Sequence, residues 1–412
     1  MKIIDKKVIQ KQLIKHGLDP LQIQELHFKI KTKKISYDSF VYKASQLRAP
    51  KSKDFNFFKK IDTQKLKIKG ISALKKDELL VFWLNGGAAT RYFDQTLISK
   101  SEKKRFSKEL KLLNQNIIDL PKGVTPVYEG MSYLELKIRN LLKITREYKL
   151  KKHPYVLLMN SFITDKPTKE HLKTLYKKYP ELILSRFHFI VQRPIVPRFK
   201  KVVDLNDVEL FVDQKGHLSF SPAGHGDFLY LTQEYLSEEK ITGAKYMFFS
   251  NIDNFGSGID PLILGYHIKS KKGRTVEVAK KDKGDKGGAP CWANKQMVIV
   301  EQMKFPKEFN QDKLKYFNTN NFYFTLRDLM DYEDELPLII AHKNIPEGEV
   351  LQLEHFACDV NLISNYLVVP RELRFWPTKR YIDLLKYLYP DKKNKAEMIQ
   401  AKKINQILKI NY

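Results

Sequence analysis

The stretch Leu80-Val81-Phe82-Trp83-Leu84-Asn85-Gly86-Gly87-Ala88-Ala89-Thr90-Arg91 constrains this chain more than any other. An apolar run of strand length ends in a Gly-Gly pair followed by small residues. Glycine has no side chain and takes positive φ freely, so a buried strand entering such a loop lets the backbone approach a ligand closely. At the carboxyl end of a sheet strand, this is where open α/β sheets place nucleotides. The pattern also suits an ordinary tight turn, so the loop alone leaves both readings open.

The order of elements argues for the α/β reading. Further buried strands are expected at 155–160, 186–192 and 245–250. Helical patterns such as SYLELKIRNLLKITREY and KPTKEHLKTLYKKY lie between them. Strands alternating with helices predict a doubly wound, mostly parallel sheet. Shorter strands are expected at 298–302, 317–324 and 350–354. Residues 1–75 read as a helical N-terminal segment, with a loop from Gln46 to Phe58. The α/β core is placed at 76–340 and a C-terminal region, carrying Lys379 and a terminal helix, at 341–412. Residues 270–288 read as a Lys/Gly-rich hairpin and loop.

Composition narrows the class. With 412 residues, 42% hydrophobic and 12% aromatic, the chain is globular and has ample core. Two cysteines exclude a disulfide framework and suit a reducing compartment. No apolar run reaches the roughly 18 residues of a membrane span, and no signal-peptide pattern opens the chain, so the expected location is the cytoplasm. The net charge of +27 raises nucleic acid as a partner. The lysines are dispersed, however, and no zinc-finger spacing, basic zipper or ribonucleoprotein motif is present, so nucleic acid is set aside as the main partner. An electropositive cleft also suits a polyphosphate.

Several residues could carry chemistry. Lys122 sits in Pro121-Lys122-Gly123-Val124-Thr125-Pro126, a rigid bend that can present an ammonium to phosphates or simply form a surface turn. His225 lies between Gly224 and Gly226, open to close approach from either side, although an isolated histidine is often a satisfied core residue. Asp253 follows the strand at 245–250 in Asn251-Ile252-Asp253-Asn254. A carboxylate there is placed to hold Mg²⁺, with an Asn/Asp turn as the bland alternative. The cluster of Asn318, Asn320 and Asn321 in Phe317–Phe324 caps a helix, through Thr319 or Asn321 ahead of TLRDLM, or bonds a hydroxyl-rich ligand, or both. Residues 369–380 carry Arg371, Arg374, Lys379 and Arg380 among prolines, as a second phosphate-facing loop or a solvated basic one.

Taken in order, these stretches resemble the UDP-glucose pyrophosphorylase (UTP–glucose-1-phosphate uridylyltransferase) family. The match runs through Leu84-Asn85-Gly86-Gly87, Pro121-Lys122, Leu158–Phe162, Gln192 with Pro197-Arg198, Gly224–Asp227 and Ser250–Asn254. It continues through Lys286-Gly287-Gly288, Phe317–Asn321, Leu351–Glu354 and Arg374–Leu385. The resemblance implies a Rossmann-like nucleotidyltransferase fold with a mixed, mostly parallel sheet, a helical N-terminal segment and no C-terminal β-helix. It implies uridylyl transfer from UTP to glucose 1-phosphate, giving UDP-glucose and pyrophosphate, by a monomer or small oligomer. By the family pattern, Leu84, Asn85, Gly86, Gly87, Lys122, Gln192, Gly224, Asp253 and Lys379 would bind the nucleotide, with Gln192 and Gly224 on the uracil. Gly87, His225, Asn251, Ile252, Asp253 and Asn320 would bind the sugar phosphate. Asp253 would hold Mg²⁺, and Lys379 and Lys122 would be catalytic.

The chemistry agrees with the residue types. A sugar phosphate oxygen is already a nucleophile, so no general base is required. Catalysis reduces to in-line positioning and charge neutralisation. The chain departs from the family at Ala88-Ala89, where Leu-Gly is usual, and in a longer span from Thr90 to Lys122. Alternatives are a UDP-N-acetylhexosamine or broad UDP-sugar pyrophosphorylase, and a non-catalytic nucleic-acid-binding relative.

Overall fold

The computed structural model describes residues 6–15, 17–32, 34–36, 41–61, 63–87, 92–94, 96, 98–111, 120–192, 195–202, 204–238, 241, 243–254, 256–282, 285, 287–345, 347–376, 378, 380–395, 397–398 and 401–402. Eight strands among them form the central sheet. In chain order these are β1 (Asn56–Phe57), β2 (Leu79–Leu84), β3 (Tyr155–Asn160), β4 (Phe187–Val191), β5 (Tyr246–Asn251), β6 (Arg274–Lys280), β7 (Tyr316–Thr325) and β8 (Ser364–Val368). Their spatial order is β1-β8-β6-β7-β5-β2-β3-β4. Only β7 runs against its neighbours; every other pairing in the sheet is parallel.

The side chains explain why this sheet is covered on both faces. Successive residues of a strand point to opposite sides. In β2, Leu79, Val81 and Trp83 enter one core with Val156, Leu158, Phe248 and Tyr323. Leu80 and Phe82 enter the other with Leu157, Met159, Phe249 and Phe322. The first core is closed by α1 (Thr63–Lys75), α2 (Tyr133–Glu147), α3 (Asp165–Lys178) and α5 (Pro261–Ser270), the second partly by α4 (Phe228–Ser237). Strands buried on both sides need no polar alternation, which is why YVLLMN and YMFFSN read as continuous apolar runs. Helix α2 starts where Ser132 Oγ accepts the Glu135 N–H at 3.0 Å and buries Leu134, Ile138, Leu141 and Leu142.

The sheet fixes where a site can form. From β2 the chain winds outward through β3 to β4, then returns to lay β5 on the opposite side of β2. The carboxyl ends of β2 and β5 therefore flank the topological switch point, where open α/β sheets leave a crevice.

Two expectations change. The loop expected at 46–58 contains 3₁₀ turns and two short strands, Leu47–Arg48 and β1, and β1 is an edge strand of the central sheet. Two residues of strand carry too little pattern to read. The hairpin expected at 270–288 contains β6, a central strand. Its sequence, RTVEVAK, holds Arg and Glu inside, and partners distant in sequence satisfy both: Arg274 donates to Ser364 Oγ, and Glu277 pairs with Arg374. The strand expected at 350–354 is present as Gly348–Glu354, in a separate three-stranded sheet with Ile339–Ile345 and Phe199–Lys200. The central sheet draws β1 from residues 1–75 and β8 from 341–412, so it crosses both expected segment boundaries.

Candidate active site

Four backbone hydrogen bonds stitch the carboxyl edge of the sheet. The Asn85 N–H donates to Met159 O at 2.9 Å, Ile252 N–H to Leu84 O at 3.0 Å, Gln192 N–H to Asn160 O at 2.8 Å, and Lys122 N–H to Gly87 O at 3.2 Å. The glycine loop, the lysine bend, the β4 exit and the β5 exit are thereby held in one row. Leu84, Asn85, Gly86, Gly87, Lys122, Gln192, Asn251, Ile252 and Asp253 all lie along it.

Within this row the roles divide. The Asn85 side chain is buried and turned inward, its Nδ2 donating to Asn160 Oδ1 and Thr168 Oγ1, both at 2.8 Å. Its amide anchors the loop to β3 and α3, so only the Asn85 backbone faces the crevice edge. Ile252 is buried in the first core. Gly86 permits close approach of Gln192: a Cβ there would stand 2.5 Å from Gln192 Oε1. A Cβ on Gly87 would meet nothing within 4 Å, so space beside it is open.

Gln192 joins the glycine loop to the next turn. Its Nε2 donates to Gly224 O at 2.6 Å. Gly224 has φ +88, and a Cβ there would fall 2.6 Å from the His355 carbonyl oxygen, so both backbone and space demand glycine. Beside it His225 is half-buried. Its Nδ1 accepts the Ala357 N–H at 3.0 Å, which leaves the proton on Nε2. Burial pushes the imidazole down to about 4. His225 is therefore a neutral donor at physiological pH.

The charged pair lies across the crevice. Lys122 Nζ bonds the Asp253 carboxylate, and both side chains are partly exposed, at 13% and 18%. The ammonium also stands 5.0 Å from the centroid of the Tyr92 ring. Asn251 Oδ1 accepts from Asn320 Nδ2 at 2.8 Å. Asn320 has φ +58 and sits where the β6–β7 register slips, so a bulge re-aims it towards β5.

The C-terminal segment reaches the same edge through contacts the sequence did not reveal. Asn254 accepts the Trp376 N–H at 2.8 Å through Oδ1 and donates to Arg374 O at 3.2 Å. Thr378 Oγ1 donates to Asp253 O at 3.4 Å and also bonds the Tyr133 hydroxyl, which in turn meets the Tyr92 hydroxyl at 2.8 Å. Lys379 itself lies outside the described residues, as do Ala88, Ala89, Thr90 and Arg91. The phosphate-facing reading of residues 369–380 is corrected for three of its cations. Arg374 is buried in a two-point ion pair with Glu277, Arg371 pairs with Asp282 and Asp285, and Arg380 pairs with Asp383. Acidic partners already neutralise them: Glu277, Asp282 and Asp285 arrive from another segment and leave no local pattern, whereas Asp383 lies three residues beyond Arg380.

A doubly wound α/β fold with a glycine loop, a lysine and a carboxylate at its switch point belongs to the class of open α/β proteins whose ligand crevice lies at the carboxyl ends of the strands. The model of the UTP–glucose-1-phosphate uridylyltransferase family matches residues 117–411, and the chain belongs to that family. It is 32% identical over 287 residues to the UTP–glucose-1-phosphate uridylyltransferase of Saccharomyces cerevisiae, covering 64% of this chain and 55% of that protein. The chain thus spans about half the length of the curated relatives it matches. A UDP-glucose phosphorylase structure from Trypanosoma brucei superposes with a TM-score of 0.66 at 24% identity, covering 89% of this chain and 74% of that one. A uridine diphosphate N-acetylglucosamine pyrophosphorylase from Trypanosoma brucei gives 0.66 at 16% identity, covering 94% and 88%. Equal scores for two sugar types show a shared fold and do not choose between sugars. No helix among the described residues is long and apolar enough to cross a membrane.

Proposed function

We propose that this chain transfers a uridylyl group from UTP to glucose 1-phosphate, releasing pyrophosphate. The observation that carries the reading is the row of Gly86-Gly87, Lys122, Gln192–Gly224, His225 and Asp253–Asn251–Asn320 at the switch point. A sugar 1-phosphate oxygen attacks the α-phosphorus of UTP, a bond to the sugar phosphate forms, and the bond to pyrophosphate breaks. The glycine loop admits the phosphates, and Lys122 meets the charge that develops on them. Gln192 and the Gly224 turn hold the base. His225 offers a neutral N–H, and Asn251 with Asn320 offers amides, to the sugar side.

Mg²⁺ is part of this proposal. It needs one or two carboxylates plus substrate phosphates, and Asp253 supplies a partly exposed carboxylate beside Lys122. Bound there, the ion would neutralise phosphate charge. A cytoplasmic setting is also proposed, supported by two buried, unpaired thiols, Cys291 and Cys358.

The test is pyrophosphate release from UTP with glucose 1-phosphate and Mg²⁺, compared with other nucleotides and with N-acetylhexosamine and other sugar 1-phosphates. UTP with glucose 1-phosphate is expected to react fastest. No release from any combination would overturn the reading in favour of a non-catalytic relative. Faster reaction with another sugar would reassign the substrate. Lys379→Ala is expected to lower turnover by orders of magnitude with the fold intact; near-normal turnover would refute its assigned role.

A further inference from the structure

Asp227 takes no part in the transfer chemistry proposed above, yet it is placed at an energetic cost. It is 1% exposed, and its Oδ1 has no hydrogen-bond partner among the described residues. Burying a carboxyl with an unmet oxygen is unfavourable. Helix capping does not explain it, because Asp227 precedes α4 without capping it through its side chain. What its other oxygen touches is Gln192: Nε2 donates to Oδ2 at 3.4 Å, in addition to the 2.6 Å bond to Gly224 O.

This contact gives the Gln192 amide a defined sense. With Nε2 turned towards the Gly224 carbonyl and the Asp227 carboxyl, the nitrogen faces two acceptors. The reverse rotamer would set the amide oxygen against the Gly224 oxygen. Oε1 is consequently presented on the other side, against Gly86. The glycine at 86 matters here because any side chain would displace that oxygen.

We propose that Asp227 is a positioning residue for base selection: together with the Gly224 carbonyl it fixes the Gln192 amide with Oε1 presented to the glycine loop as an acceptor. A base held there is read at an N–H edge. Uracil carries an imide N–H at its third ring position. Cytosine carries an acceptor nitrogen at that position and, in the same pose, would meet Oε1 lone pair to lone pair. Asp227 thereby favours uridine over cytidine nucleotides without touching either. The inference rests on the uridylyl-transfer reading of the site.

The experiment compares UTP with CTP in the wild-type chain, Asp227→Asn and Asp227→Ser. It measures kcat/KM with glucose 1-phosphate and, separately, equilibrium binding of each nucleotide. In Asp227→Asn the new amide nitrogen can donate to a flipped Oε1 as readily as the new amide oxygen accepts from Nε2, so the Gln192 amide is no longer held in one sense. The UTP-over-CTP ratio is expected to fall about tenfold in both measurements, the scale of one misdirected hydrogen bond. Asp227→Ser, which removes the carboxyl without inserting a competing amide nitrogen, should show a smaller fall in the same direction, and serves if Asp227→Asn does not fold. Equal losses for both nucleotides, with the ratio held within about twofold, would give Asp227 a structural role only and overturn the inference. Equal use of UTP and CTP by the wild type would overturn it as well. Failure of the wild type to bind or use UTP at all would instead remove the functional reading beneath it.

Discussion

Lys122 and Asp253 meet across the crevice as an ion pair, although 131 residues separate them in sequence. One follows the glycine-loop segment and the other follows β5, so the winding of the sheet alone brings them together. A lysine held between Pro121 and Gly123 and oriented by a carboxylate is a fixed charge, which costs no reorganisation when phosphate charge develops.

Lys122→Met and Asp253→Asn should each lower kcat/KM for pyrophosphate release by about 10²–10³-fold, the range for loss of one preorganised charge-stabilising group. Because the two side chains touch, the double variant should lose less than the product of the single losses. Cooperative thermal unfolding should persist in all three. Full additivity in the double-variant cycle would show that the contact is not used in the transition state.

Arg374 and Glu277 form the deepest ion pair described, with Arg374 Nε donating to Oε2 at 2.8 Å. Burial works against the guanidinium charge, but Glu277 beside it outweighs that and holds Arg374 charged. Arg374 also donates to Gly258 O at 2.9 Å, and its own carbonyl is tied to Asn254 and Asn321. The pair therefore anchors the C-terminal segment to the β5 exit loop. Arg374→Met leaves Glu277 buried and alone, and should destabilise the fold by about 3–5 kcal/mol in urea unfolding. Arg374→Met with Glu277→Gln should recover part of that loss. A single-variant loss under about 1 kcal/mol would show that the pair does not anchor the segment.

The long apolar strands β2, β3 and β5 were legible in the sequence because burial on both faces writes itself as an uninterrupted hydrophobic run. So were the positions of Gly86-Gly87 and of the Asp253 turn, which directly follow β2 and β5. The edge strand β1 was not, since two residues hold no periodicity. Strand β6 was not, since Arg274 and Glu277 look solvated until Ser364 and Arg374 arrive from the other end of the chain. The same reason hid the inward turn of Asn85 towards Asn160 and Thr168, and the Tyr92–Tyr133–Thr378 relay beneath Asp253. Side chains whose partners are distant in sequence leave no spacing to read.

His267 makes an acid-stability prediction. It is 1% exposed, its Nδ1 is 3.0 Å from Thr275 Oγ1, and burial pushes it down to about 4. The unfolded chain takes up this proton near 6.5 and the folded chain only near 4. The contribution is therefore present above pH 6.5 and is lost as pH falls to 4, by up to about 3 kcal/mol. His225 acts in the same direction. Melting temperature should fall between pH 6.5 and 4, and His267→Gln should flatten that fall. An unchanged slope would show that His267 titrates normally in the fold.

Asp227 predicts the opposite slope. Burial pushes its carboxyl up to about 7 from an ordinary 3.8, with the contact from Gln192 opposing. Between those values the folded chain holds a proton that the unfolded chain has released. Stability from this group is full below pH 3.8 and is lost as pH rises to 7, by up to about 4 kcal/mol. Asp227→Asn carries no charge in either state. Its melting temperature relative to wild type should therefore climb from pH 4 to about pH 7 and level off above it. A difference independent of pH would show that Asp227 is not held protonated by burial. A climb in stability alongside a fall in the UTP-over-CTP ratio would mark Asp227 as a residue whose destabilising burial serves base selection.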